Sequence, residues 1–192
     1  MTSIAIVYHS GFGHTKAVAA SVLTGVESAG AVGTLIDVAE LPAPDDDRNY
    51  AGRWSELEAA DAIIFGTPTY MGTVSAAFKQ FMDHTGTIWY RQAWKDKVAA
   101  GFTNAASLDG DKRATLVTLT TFAAQHQMIW VTQGVFPDRE GANRLGSWLG
   151  LTTQADNNKG PDLAPPPEDH RTARMFGERV ANAAKRWQRG RA

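Results

Sequence analysis

The sequence predicts an α/β fold: a doubly wound, five-stranded parallel sheet in the order 2-1-3-4-5 with helices on both faces. Three observations predict it. Short apolar runs rich in β-branched residues recur, without the polar alternation of a strand that has one wet face. Segments with apolar residues three or four positions apart separate these runs. The connections are long enough for right-handed crossovers, which place helices on both faces of one sheet.

The first strand is read at residues 4–8, Ile-Ala-Ile-Val-Tyr, and His9, Ser10 and Gly11 break it. A helix follows from Thr15, with Val18, Val22 and Val26 on one face and Gly30 as its stop. Residues 35–38 read as the second strand. Residues 39–56 are polar, carry Pro42, Pro44 and three consecutive aspartates, and read as a surface loop followed by one helical turn. Residues 62–66 form the third strand and 67–72 a turn-rich loop. Val74, Phe78, Phe81 and Met82 give the next helix one apolar face. Residues 98–102 are the fourth strand, 111–127 a helix with Leu116, Leu119 and Ala123 in phase, and 128–131 the fifth strand. Residues 132–167 look irregular; loops this long in a compact domain are functional or mobile. A final helix starts at Glu168 with Ala173, Phe176, Val180, Ala183 and Trp187 as its stripe.

At 192 residues the chain fits one domain, read as 1–192. The net charge is -1, which lacks the basic excess of many nucleic-acid binders, so no nucleic-acid partner is expected. There are no cysteines, which rules out disulfides, thiolate metal sites and cysteine nucleophiles. The histidines show no ligand spacing and no H-E-x-x-H occurs, so no metal site is expected. The first eight residues lack the pattern of a secretory leader, and no apolar run approaches the ~18 residues of a membrane helix. The expected location is cytoplasmic, with no membrane partner. The aspartates at 45–47 read as a solvated loop. The basic end of the last helix, with Arg171, Arg174, Arg179, Lys185, Arg186, Arg189 and Arg191, suits its own dipole.

In doubly wound sheets ligands bind beyond the carboxyl ends of the strands, at the point where strand order reverses. Three loops meet there. Ser10, Gly11, Phe12, Gly13, His14 and Thr15 join a buried strand to a helix start, where free amides and the dipole suit a phosphate. Taken alone, this loop reads equally as a phosphate cradle or as a turn capped by Thr15. It lacks the G-x-x-x-x-G-K-[ST] spacing of an NTPase and the G-x-G-x-x-G of a dinucleotide site. Pro68, Thr69, Tyr70, Met71 and Gly72 form the second loop, and Thr103, Asn104, Ala105, Ala106 and Ser107 the third. A planar aromatic ligand with a phosphate tail would touch all three. A G-x-S-x-G elbow is absent, which gives a serine hydrolase no support.

Residues 4–17 resemble the FMN-phosphate loop of flavodoxin-like proteins. Residues 63–69, then Gly72, the Phe-Met-Asp-His-Thr-Gly run at 81–86 and Trp89, resemble the WrbA-type NAD(P)H:quinone oxidoreductases over nearly the whole chain. The resemblance implies a flavodoxin-like fold, FMN as cofactor, NAD(P)H as co-substrate and a quinone-like acceptor. It implies that Ser10, Gly13, His14 and Thr15 hold the phosphate. Thr69, Tyr70, Met71 and Gly72 would line the isoalloxazine, with Thr103, Asn104 and Ser107 at its other edge. His126 would act as a catalytic, substrate-facing histidine, and Trp89 would lie near the substrate. A homodimer or homotetramer is implied as well, with residues 89–94 as a contact. This chain departs from the family pattern at Tyr70, where arginine is usual, at Met71, where an aromatic is usual, at 105–110, where the family loop is glycine-rich, and at Gln125, where a histidine pair is common. Receivers of phosphoryl groups share the strand order, but they need acidic residues where this chain has Ser10, Gly11, Thr67 and Pro68.

Overall fold

The computed structural model describes residues 1–190; Arg191 lies outside the described residues. The chain runs β1 (Ser3–Tyr8), α1 (His14–Ser28), β2 (Val32–Asp37), α2 (Trp54–Ala59), β3 (Ala62–Tyr70), β4 (Thr73–Val74), α3 (Ala76–His84), α4 (Gly86–Tyr90), β5 (Val98–Ala105), α5 (Lys112–Gln125), β6 (Ile129–Trp130), β7 (Leu151–Gln154) and α6 (Pro167–Arg189). β2, β1, β3 and β5 lie side by side and parallel, with β6 beyond β5. The doubly wound order is the expected one, and the fold is flavodoxin-like.

Alternate residues of the central strands feed two cores. Ala5, Val7, Ile63 and Phe65 pack with Trp54, Phe78, Phe81, Trp94 and Phe122 under α2, α3 and α5. Ile4, Ile6, Ile64 and Phe102 pack with Val18, Val22, Phe176 and Val180 under α1 and α6. Both faces being buried is why these strands carry no polar alternation. α6 opens with Pro167 in its first turn, one residue before the expected start, because proline costs nothing where no intrahelical donor is needed.

Several boundaries differ from the sequence reading, and two of the differences shape the sheet's far edge and its ligand end. β3 runs on through Tyr70 and pairs antiparallel with β4, Thr69 opposite Val74 and Tyr70 opposite Thr73. The expected turn is thus a two-residue hairpin, with Met71 at φ 47° and Gly72 at φ 82°. The fifth strand is only two residues long. The rest of that edge is supplied by β7, which pairs with residues 102–105 of β5. The stretch read as irregular therefore holds a strand. Four residues, two of them threonine, gave too short a pattern to see.

Candidate active site

Gly13 leads into α1 as its N-cap, and its φ of 89° is a left-handed value that glycine adopts without strain. Gly13, as the N-cap, has no side chain to cap the helix, and the first turn holds no acid. The Ser10 hydroxyl accepts from the Lys16 amide at 3.1 Å. The His14 and Thr15 amides have no acceptor among the described residues and stand at the positive end of the dipole. That orphaned helix start fits the phosphate of FMN. The His14 ring donates from Nε2 to the Lys159 carbonyl at 2.8 Å, which ties the loop to the segment after β7.

The cleft at this end of the sheet is lined by Gly11, Phe12, His14 and Thr15 from the first loop, residues 68–72 from the β3–β4 hairpin, and residues 104–107 at the end of β5 and just beyond it. Three expected residues stand just behind it. Ser10 bonds the helix start, Gly13 shapes it, and Thr103 is buried beneath Thr69. The Thr69 hydroxyl lies 2.8 Å from that of Thr103 and 2.7 Å from that of Thr115. Phe12 and Tyr70 meet edge to face with centroids 6.5 Å apart, and burial raises the Tyr70 pKa. Phe12 and Met71 are exposed at the mouth. The sequence reading missed Gly110 and Asn157, which also line the cleft. The one signal for Asn157 was the length of its loop.

The two expected substrate residues are not brought here. His126 follows the C-terminal end of α5, whose 14 residues carry the chain roughly 20 Å from the cleft side of the sheet at ~1.5 Å per residue. Only 4% of it is exposed. Its ring lies 4.6 Å from that of Trp94 and 4.8 Å from that of Phe122. The Thr85 hydroxyl donates to Met82 O, so it accepts from His126 Nε2, at 2.9 Å. Nδ1 has no partner among the described residues, and burial pushes the pKa down to about 4. His126 is a neutral core residue, and within this chain the expectation of a substrate-facing histidine is not met. The resemblance placed it over the substrate, whereas its spacing from Leu119 and Ala123 put it on the sheet-facing side of α5 without saying at which end of the sheet. Trp89, on α4, is 47% exposed and likewise does not line the cleft.

Among the described residues no cluster of three or more His, Asp or Glu side chains suits a metal, and no helix is long and apolar enough to cross a membrane.

The family described as NADPH-dependent FMN reductase matches residues 5–143. The chain belongs to that family. It is 37% identical to the flavodoxin FldP of Pseudomonas aeruginosa, over 94% of this chain and 96% of that protein. It is 33% identical to an NAD(P)H dehydrogenase (quinone) of Archaeoglobus fulgidus, over 97% of this chain and 99% of the relative. A solved flavodoxin, WrbA-like protein from Agrobacterium tumefaciens superposes with a TM-score of 0.75 at 38% identity, covering 97% of this chain and 99% of that one. The chain is accordingly an FMN-dependent, NAD(P)H-linked oxidoreductase.

Proposed function

We propose that the protein passes a hydride from NADH or NADPH through FMN to a quinone or a similar flat acceptor. The observation that carries this reading is the convergence of a helix start with two free amides, a strand-end hairpin and the 104–107 segment on one cleft, in a chain of the FMN reductase family. When bound, FMN supplies the hydride-accepting and hydride-donating ring; the protein supplies binding, orientation and access. The His14 and Thr15 amides hold the phosphate. Thr69, Tyr70 and residues 104–107 hold the ring, and the open mouth at Phe12 and Met71 admits donor and acceptor in turn. A shared site makes the kinetics ping-pong, with parallel double-reciprocal lines.

Residues 1–192 act as one cytoplasmic, cofactor-binding domain. Trp89 and Tyr90 are exposed away from their own cleft, which supports a homodimer or homotetramer in which they make contacts. The resemblance to a flavodoxin at 37% identity favours a second reading, an electron carrier that exchanges electrons with protein partners. Anaerobic NADPH and NADH added to the FMN-loaded protein separate the two. Bleaching of the flavin band, reversed by benzoquinone, supports the oxidoreductase. A flavin that no nicotinamide bleaches points to the carrier.

A further inference from the structure

A second pocket opens on the other side of the loop that bounds the cleft. Ser107 and Gly110 line the cleft, while Leu108 and Asp109, between them in sequence, line this pocket. Its volume is about 340 Å³, within the range of small-molecule sites. Lys112 fixes the dividing wall, its Nζ donating to Ser107 O and Leu108 O at 2.8 Å each. Leu116, Leu145 and Leu149 add an apolar lining.

Two side chains of this lining have no evident structural work. Arg113 is exposed, and its guanidinium makes no hydrogen bond or ion pair among the described residues. Trp148 is held in place, since its carbonyl accepts from the Gln133 amide at 3.1 Å and its ring packs on Phe136 with centroids 5.8 Å apart. It is nonetheless 54% exposed. The lining carries two cations, Lys112 and Arg113, against one carboxylate, Asp109. An open, fixed indole and an unpaired guanidinium on one apolar pocket suit a flat ligand that bears negative charge.

The reaction supplies such a ligand. The hydride donor carries nicotinamide at one end and adenosine at the other. The cleft, at about 230 Å³, has no room for the adenosine half beside FMN. We propose that the neighbouring pocket takes the adenosine end of NADPH, with Trp148 stacked on the adenine and Arg113 on the 2′-phosphate that NADH lacks. A guanidinium meets phosphate with paired hydrogen bonds, and an aromatic face accepts any base. Arg113 is then the residue that makes the enzyme favour NADPH. This rests on the hydride-transfer reading above.

The test uses the FMN-loaded protein and two readouts, with far-UV circular dichroism as the check on folding. Calorimetry compares adenosine 2′,5′-bisphosphate, which has no nicotinamide, with adenosine 5′-monophosphate. Turnover with benzoquinone gives kcat/KM for NADPH and for NADH. The wild type is expected to favour the bisphosphate and NADPH about tenfold each, the size of one charge-assisted hydrogen bond. Arg113→Gln should abolish both preferences, and Arg113→Lys should keep most of each. Trp148→Ala should weaken both adenosine probes about tenfold and leave their ratio unchanged, because stacking does not sense the phosphate. Wild-type ratios near one, or ratios that Arg113→Gln leaves unchanged, overturn this inference while the hydride reading stands. A flavin that neither nucleotide bleaches overturns both. If Trp148→Ala does not fold, Arg113→Gln, at an exposed position whose side chain bonds nothing among the described residues, decides alone.

Discussion

Gly11 and Tyr70 show how much of the cleft rests on single atoms. A Cβ on Gly11 would collide with the Tyr70 hydroxyl, the movable end of a side chain. Gly11→Ala is therefore expected to leave the melting temperature nearly unchanged while displacing the ring and weakening FMN several-fold in a flavin-fluorescence titration of the apoprotein. His126 acts in the opposite way, on stability and not on binding. Its folded pKa of about 4 lies below the unfolded value of about 6.5, so the unfolded state takes up the proton first. The neutral ring costs nothing above about pH 6.5, and stability is lost as pH falls from there toward 4. Thermal melts across that window should show a steep fall for the wild type and a shallower one for His126→Phe, which keeps the aromatic packing and cannot be protonated. Equal slopes would mean that other groups dominate.

β7 is the element that the strand pattern concealed, and it supports the cleft from behind. Its Gln154 amide donates to Asp169 Oδ2 at 2.7 Å, and its Thr153 hydroxyl donates to Asn104 Oδ1 at 2.8 Å. Arg144 pairs with Asp169 in two-pronged fashion, Nε at 2.6 Å and Nη2 at 3.0 Å. Asp169 is buried, so removing its partner strands a charge away from water. Arg144→Met should cost about 3 kcal/mol in urea denaturation, within the range for breaking buried pairs. Asp169→Asn should cost less, since the amide oxygen can still accept from Gln154. If both cost under about 0.5 kcal/mol, the size of an ordinary surface change, the network contributes little.

Across the whole molecule, the cleft depends on where α1 is anchored. α1 and α6 cross so closely that a Cβ on Gly25 would strike the Arg174 carbonyl, and one on Gly177 the Val22 carbonyl. Backbone cannot swing aside as a side chain can. Gly25→Ala is therefore expected to destabilise by about 1–3 kcal/mol, the scale of overpacking, read as a lower melting temperature. Gly25 lies in the second half of α1, away from the phosphate loop, so folded protein should still bind FMN. Loss of binding at full stability would mean that the crossing controls the site directly.

The sequence alone determined the central order of the sheet, because strands buried on both faces and helices with one apolar stripe leave a periodicity that can be read locally. It also determined which three loops meet, because strand order in a doubly wound sheet sets the switch point. Residues 68–72 and 104–107 were legible for that reason. Only the tertiary structure decided what lies behind them. Lys112, Arg144, Gln154 and Asp169 come from four separate stretches, and hydrogen bonds between distant residues leave no local pattern. His126 shows the same limit: its helical phase says that it faces the sheet, while the path of α5 through space decides that it ends in the apolar core and not at the cleft.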